Sequence, residues 1–243
     1  MTTNQDLRGE WRTEAVEDFL KHVYLLAQQV DPVPTSLLAR ALNIAAPSVT
    51  DMIKRLSGTL DEKDKKRGMT AIPVLLDYEP YKGVRLTPLG RRIALEVVRH
   101  HRLLELYLSQ KLGFAWDEVH TEADKLEHHI SERLEARIAE TLGHPELDPH
   151  GDPIPALDGT IVAKQLILLS DLPAQESCEV NRIIDQAPEV LRYLADVGLL
   201  IGVKVTLESR SPLNDTISVR IGEQTQIVTL STQVARKVLI TCA

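Results

Sequence analysis

The chain has 243 residues, of which 43% are hydrophobic, and a mean hydropathy of −0.11, so it is too apolar to be intrinsically disordered. Its longest apolar runs fall far short of the ~18 residues that a membrane span requires, and its polar N-terminus lacks the apolar stretch of a signal peptide. Two cysteines, Cys178 and Cys242, are too few for a disulfide framework. We therefore expect a cytoplasmic protein without a membrane partner.

The net charge of −7 is unevenly distributed along the chain. Residues 1–99 hold 15 Lys and Arg against 13 Asp and Glu, whereas residues 100–243 hold 13 against 22. A slightly basic front and an acidic back suit a protein that meets DNA with one end only. Composition alone also allows an acidic enzyme.

The front of the chain predicts a helix-turn-helix. Apolar residues at helical spacing predict a long helix over residues 13–29. A short second helix follows over residues 36–41 with Thr35 as its N-cap, and a third begins at Pro47 and continues through Leu56. Two short helices joined by a tight turn after a longer helix are typical of DNA-binding proteins.

A β-hairpin, or wing, is predicted next, with strands at residues 74–76 and 84–86 around a turn at Tyr81. The charged segment before it, residues 61–68, is interpreted as a solvated loop. In the alternative interpretation its cations contact DNA phosphate; these are Lys63, Lys65, Lys66 and Arg67.

The back of the chain predicts two further helices and a β domain. Thr87 caps a helix over residues 88–112 that ends at Gly113, and a single helix is expected over residues 117–142. The Pro- and Gly-rich segment 148–155 predicts a linker. Beyond Gly159 the pattern favours a small β-barrel, with strands in 161–169, 203–208, 217–221 and 226–230 and one helix at 188–195.

Histidines and carboxylates recur at helical spacing in the two helices. One helix carries a pair at i and i+4, and the next carries four such residues at i, i+4, i+7 and i+8, so each set shares a face. A solvated helix face is the plain alternative, but a divalent cation would relieve the repulsion between the carboxylates. Imidazole and carboxylate without thiolate suit Mn²⁺, with Fe²⁺ as the alternative. The residues are His101, Glu105, His120, Asp124, Glu127 and His128.

Four stretches resemble the diphtheria toxin repressor family and its manganese-sensing branch, the manganese transport regulators. They are residues 17–24 (EDFLKHVY), 84–90 (VRLTPLG), 101–105 (HRLLE) and 119–128 (VHTEADKLEH), with GDPIP at 151–155 as a further signature. Their order and spacing match over nearly the whole chain.

The resemblance implies a mainly α fold with a small β domain. It divides the chain into a winged helix-turn-helix domain (1–87), a helical metal-binding and dimerisation domain (88–155) and an SH3-like, FeoA-like β-barrel (156–243). It further implies a homodimer that binds a double-stranded DNA operator and represses metal-uptake genes.

The resemblance also implies two neighbouring metal sites per subunit. Asp18 and Asp124 stand where iron-sensing members carry Met and Cys, which favours manganese. Asp185 is the candidate to complete the second site, because Arg182 occupies the other expected ligand position. The primary site would be Asp18, Asp124, Glu127 and His128, and the ancillary site His101, Glu105 and His120.

DNA contacts are expected from the third helix and the wing. Asp51 replaces a Gln of iron-sensing members and can accept a hydrogen bond from cytosine N4. An insertion at residues 58–70 enlarges the loop before the wing. The base-reading candidates are Pro47, Ser48, Thr50 and Asp51; Arg55 reads bases or binds phosphate; and Lys54, Lys82 and Arg85 are phosphate candidates.

The sequence allows three other functions. An iron(II)-dependent repressor would use the same sites. A metal-dependent hydrolase would use the cluster to activate water, but the chain has no HExxH, nucleophile elbow or Gly-rich phosphate loop, so we expect no enzyme. The third is a binding module that uses the C-terminal β domain alone.

Overall fold

The computed structural model describes residues 9–66, 68, 72–162, 164–174, 176–222 and 227–242. Arg67, named above, lies outside them, as do parts of the predicted insertion at 58–70 and of the predicted strands at 161–169 and 226–230. The chain forms two compact units. The first extends to Arg99 and includes Leu157–Gly159, and the second comprises His100–Ala156 and the chain from Thr160 onward.

Three helices begin the first unit, as the sequence predicts: α1 (Glu14–Ala27), α2 (Thr35–Ala41) and α3 (Ala46–Leu56). They bury one apolar face each, and on α3 this face leaves Ser48 and Thr50 exposed. Thr35 is not a cap, because it is the first helical residue and Pro34 precedes it.

A short helix, α4 (Glu62–Lys66), occupies the segment predicted to be a loop, so that prediction is wrong. Asp61 Oδ1 accepts the backbone N–H groups of Lys63 and Asp64 at 2.8 and 2.9 Å, and Asp64 Oδ2 accepts the Asp61 N–H at 3.1 Å. This reciprocal pairing is a capping box, and its Asp-x-x-Asp pattern was legible in the sequence.

The wing consists of strands β1 (Leu76–Glu79) and β2 (Gly83–Leu86), which pair antiparallel. The first strand begins later than predicted, and Val74 lies outside it, half exposed. Tyr81, at the turn, is fully exposed with φ of 66°.

The long helix α5 (Pro88–Leu112) has the predicted bounds. Thr87 Oγ1 accepts the Gly90 N–H at 3.1 Å, and Gly113 ends the helix with φ of 74°. The predicted single helix over 117–142 is wrong, since the chain forms α6 (Val119–Leu126) and α7 (Glu132–Thr141). The second begins at Ser131, whose hydroxyl accepts the Leu134 N–H at 3.2 Å.

The C-terminal domain is a six-stranded antiparallel sheet with the strand order β3-β8-β4-β5-β6-β7. Its apolar side chains form one core with helix α8. Strands β4 and β8 were not predicted. The elements are β3 (Ile167–Leu168), β4 (Ser177–Ile183), α8 (Pro188–Asp196), β5 (Lys204–Ser211), β6 (Thr216–Ile221), β7 (Ile227–Ser231), α9 (Thr232–Ala235) and β8 (Val238–Cys242).

Cys178 and Cys242 form a disulfide, which the sequence did not predict. They are cross-strand partners in β4 and β8 and lie 64 residues apart in the chain. Only the pairing of the strands brings them together, so cysteine count and spacing gave no signal.

No helix among the described residues is long and apolar enough to cross a bilayer.

Candidate metal centre

His101 of α5 lies at the centre of a partly buried group of carboxylates and imidazoles. Its Nδ1 is 2.5 Å from Glu127 Oε2 and 3.3 Å from Asp124 Oδ1, and its Nε2 is 2.9 Å from Glu105 Oε1 and 3.0 Å from His120 Nδ1. We call these five residues the outer cluster. A neutral imidazole carries one proton for its two nitrogens, so His101 cannot donate a hydrogen bond on both sides of its ring. A divalent cation among these groups would satisfy the nitrogen that lacks a proton.

Glu105, one turn along α5 from His101, is 1% exposed. Burial alone would raise the pKa of its carboxyl, but the charge and hydrogen bond of His101 and the hydrogen bond of His120 hold that pKa below its usual range. Glu105 is therefore an ionised carboxylate inside the protein, as a metal ligand must be.

A second group, which we call the inner cluster, contains Glu105, Asp148 and His150, all buried and within 4.8 Å of one another in their ligand atoms. The sequence predicts a linker at Asp148 and indicates no partner for His150. Neither shares a helical face with Glu105, so periodicity carried no signal for them.

His150 has a buried ring nitrogen without a hydrogen-bond partner. Its Nε2 lies 2.8 Å from the carbonyl oxygen of Trp116, which only accepts, so Nε2 carries a proton. Nδ1 is unpartnered and lies 3.9 Å from Glu105 Oε2. If Nδ1 carries no proton, its lone pair faces a carboxylate in the interior, an arrangement that a cation between them would make favourable.

Asp148 is also fully desolvated. Burial, followed by the charges of Asp152 and Glu105, raises the pKa of its carboxyl well above the ordinary value, although Arg102 opposes the shift. A cation near Asp148 would offset the same repulsion.

The remaining predicted ligands of the second unit lie at the end of α6. Asp124 is about half exposed, with 48% of its side chain accessible, whereas Glu127 is buried and its Oε1 is 3.4 Å from His128 Nε2. His100 contacts the residue that follows α6, because its Nδ1 donates a hydrogen bond to the Glu127 carbonyl at 3.0 Å. Sequence reasoning assigned no role to His100.

Asp18 and Asp185 lie on other elements. Asp18 is a half-buried residue of α1 in the first unit, so its joining to residues of the second unit stays a prediction. Asp185 follows β4 and pairs with Lys237 Nζ at 2.8 Å, and its Oδ1 accepts the Ala187 N–H at 3.1 Å. The structure places it in neither cluster.

The predicted DNA-contacting residues divide by exposure and pairing. Pro47, Ser48 and Thr50 are exposed on α3, and Asp51 and Arg55 are half-buried. Three of the four cations are already engaged with carboxylates: Lys54 with Asp64 at 3.1 Å, Lys82 with Glu79 at 2.7 Å, and Arg85 with Asp31 at 3.0 Å and Glu79 at 2.7 Å.

This fold and these clusters define a class of metal-dependent DNA-binding regulators. Family models match three parts of the chain: the iron-dependent repressor N-terminal DNA-binding domain at residues 12–67, the iron-dependent repressor metal-binding and dimerisation domain at 87–156, and the FeoA domain at 167–242.

Known relatives match this chain over most of their own length. The chain is similar to the iron-dependent repressor IdeR of Mycobacterium leprae (29% identity, 93% of this chain and 96% of that protein) and the diphtheria toxin repressor of Corynebacterium diphtheriae (26%, 88% and 84%). A solved manganese-dependent transcriptional repressor in complex with manganese is 35% identical over 94% of this chain and 100% of that one, with a TM-score of 0.78. The chain belongs to the diphtheria toxin repressor family of metal-dependent transcriptional repressors.

Proposed function

We propose that this repressor responds to manganese(II). The supporting observation is the outer cluster, in which imidazoles and carboxylates surround His101 and no sulfur ligand takes part. Such hard donors suit Mn²⁺ better than softer ions, and selection over tighter-binding metals must come from geometry and supply. The similarity to a manganese-dependent repressor supports the proposal, while the iron-named relatives keep iron(II) as the alternative.

We propose that the primary site joins two domains. In the predicted division at 87/88 and 155/156, Asp18 belongs to the DNA-binding domain, and Asp124, Glu127 and His128 belong to the dimerisation domain. A bound ion would supply the positive charge that lets these carboxylates approach one another. The residues then hold the recognition helices of the dimer ~34–36 Å apart, the spacing of successive major grooves.

The ancillary site is proposed at His101, Glu105 and His120. Asp148 and His150 extend it on the other side of Glu105, and they replace Asp185 as the candidates to complete this site. Glu105 would thus face both clusters with its two oxygens, which couples the occupancy of one to the other.

On DNA, we propose that Ser48, Thr50 and Asp51 read base edges from α3. Arg55 and Lys54 extend from the same helix, and Lys82 and Arg85 extend from the wing. Lys54, Lys82 and Arg85 are each paired with an acid, so binding to phosphate would require them to exchange these ion pairs for contacts with DNA.

The proposal is tested by measuring DNA binding by fluorescence anisotropy while Mn²⁺ or anaerobic Fe²⁺ is titrated. The DNA is an operator selected from a random library by the metal-loaded protein. We expect strong DNA binding with Mn²⁺ at metal concentrations where Fe²⁺ gives weaker DNA binding. Equal binding in a chelator would rule out metal dependence, and stronger binding with Fe²⁺ would establish the iron alternative.

A further inference from the structure

A tight loop carries two of the three inner-cluster residues. This ligand loop, residues 146–154, is closed by Asp148, whose Oδ1 accepts the N–H groups of His150 at 2.8 Å and Asp152 at 2.9 Å. The Ile154 N–H also donates to the Glu146 carbonyl at 2.8 Å. The orientation of Asp148 and His150 therefore depends on the shape of the whole loop.

Strand β4 of the C-terminal domain packs directly on this loop. The Ile183 N–H donates to the His150 carbonyl at 2.9 Å. Gly151 has φ of 85°, and a side chain at this position would collide with the carbonyl oxygen of Asn181. The backbone of β4 thus contacts the backbone of the loop at His150 and Gly151.

Asp152 supplies the charged part of the contact. It is buried and forms ion pairs with Arg182 of β4 and, at 3.5 Å, with Arg102 of α5, while its Oδ2 accepts from Gln186 Nε2 at 2.7 Å. Arg102 also donates to the Pro153 carbonyl at 2.5 Å. Two guanidinium groups, one from each domain, therefore hold one carboxylate of the ligand loop.

We propose that Arg182 is a positioning residue for the inner cluster. Through Asp152 it fixes the ligand loop, so that the C-terminal domain sets the affinity of the cation at Glu105, Asp148 and His150. Arg182 occupies the position where the family resemblance leads one to expect a metal ligand, and a guanidinium cannot bind a cation. This inference rests on the proposed metal-binding function.

A purely structural tether is the competing explanation. Such a tether would hold the domain in place and contribute to stability but would leave metal affinity unchanged. The two explanations predict different effects on Mn²⁺ affinity, because changes in residues that orient metal ligands typically weaken metal affinity about 10–100-fold.

The test measures Mn²⁺ binding to the full chain, with free Mn²⁺ quantified by its electron paramagnetic resonance signal. We expect Arg182→Gln to weaken one class of bound Mn²⁺ at least about tenfold, and Arg182→Lys to recover part of the loss. Arg192→Gln is the matched control, since Arg192 pairs at 3.0 Å with Asp117 in the same unit and is 61% exposed. Unchanged affinity in Arg182→Gln overturns the proposal.

His150→Ala completes a double-mutant cycle. If Arg182 acts through the ligand loop, Arg182→Gln should have little further effect on Mn²⁺ in the His150→Ala background. Full additivity would contradict the proposal. Normal Mn²⁺ binding by His150→Ala would remove the inner cluster as a metal site, and with it the positioning role of Arg182. If His150→Ala lost Mn²⁺ affinity but Arg182→Gln did not, only the positioning role of Arg182 would be overturned.

Melting temperatures in chelator report the structural contribution separately. Should Arg182→Gln fail to fold, Asp152→Asn takes its place in the cycle, because it removes the charge that Arg182 contacts and keeps the shape of the side chain. Normal Mn²⁺ affinity in folded Asp152→Asn would equally overturn the proposal.

Discussion

Glu105 is the residue on which both clusters depend. Its Oε1 lies 2.9 Å from His101 Nε2 and 3.1 Å from His120 Nδ1, and its Oε2 lies 3.9 Å from His150 Nδ1. A single buried carboxylate with partners on both sides couples the two groups, so its neutralisation should affect each. Asp124, which contacts only the outer cluster among these residues, offers a contrast.

We predict that Glu105→Gln weakens Mn²⁺ binding at the ancillary site and at the inner cluster by at least about tenfold. The amide keeps the shape of the side chain but loses the negative charge. Asp124→Asn should weaken only one class of bound Mn²⁺ and abolish metal-activated DNA binding while the protein stays dimeric. Isothermal titration calorimetry and size-exclusion chromatography measure the two effects. Identical losses in both variants would contradict the assignment of two clusters.

At the scale of elements, the N-terminus of α4 is fixed by its capping box. Asp61 accepts two backbone N–H groups that would otherwise be left without partners. We predict that Asp61→Ala lowers the free energy of unfolding of the first unit by about 1 kcal/mol, as for other N-cap substitutions. Urea unfolding measures the loss. Glu62→Ala, at the exposed first position of the helix, is the control and should stay close to wild type.

The stabilising effect of Asp64 should depend on pH. The backbone N–H of Asp61 and then Lys54 lower the pKa of the Asp64 carboxyl below its ordinary value of about 3.9. A lowered folded-state pKa means that the carboxylate stabilises the protein above the ordinary pKa and that this contribution is lost as pH falls through the folded-state pKa.

We therefore predict that the stability difference between wild type and Asp64→Asn is largest near pH 6 and shrinks toward pH 3. Urea unfolding at a series of pH values measures it. A difference that stays constant over this range would mean that the ionised carboxylate contributes nothing.

Periodicity predicted the elements whose patterns are local. The bounds of α5 follow from Thr87 and Gly113, and α1 and α3 follow from their buried apolar faces. The same reasoning gave one helix over 117–142, because the pattern of histidines and acids continues through residue 128, whereas Ser131 starts a new helix. A cap inside a periodic stretch was the overlooked signal.

Tertiary contacts decided what the sequence could not predict. Asp148 and His150 lie near Glu105 in a loop that Arg102 and β4 both contact, and no spacing in the chain encodes that approach. The outer-cluster residues of α5 and α6 were predicted as a set, because helical spacing and the family resemblance both select them. Their roles as ligands remain predictions.

At the scale of the whole molecule, the proposed function links metal and DNA thermodynamically. If metal raises the fraction of protein with correctly placed recognition helices from ~1% to near unity, DNA affinity rises about 100-fold, or ~2.7 kcal/mol. Linkage requires that DNA raise the affinity for the metal by the same factor, because both ligands favour one arrangement of the domains.

We predict that Mn²⁺ binds about 100-fold more tightly to the protein in the presence of saturating operator DNA than in its absence. The comparison uses Mn²⁺ titrations followed by paramagnetic resonance, with a scrambled duplex of equal length to account for Mn²⁺ held by phosphate. Asp18→Ala should remove the enhancement, since its carboxylate is the proposed link between the domains. Equal Mn²⁺ affinity with and without operator DNA would contradict metal activation of DNA binding. An Asp18→Ala variant that kept the full enhancement would remove Asp18 as the link between the domains.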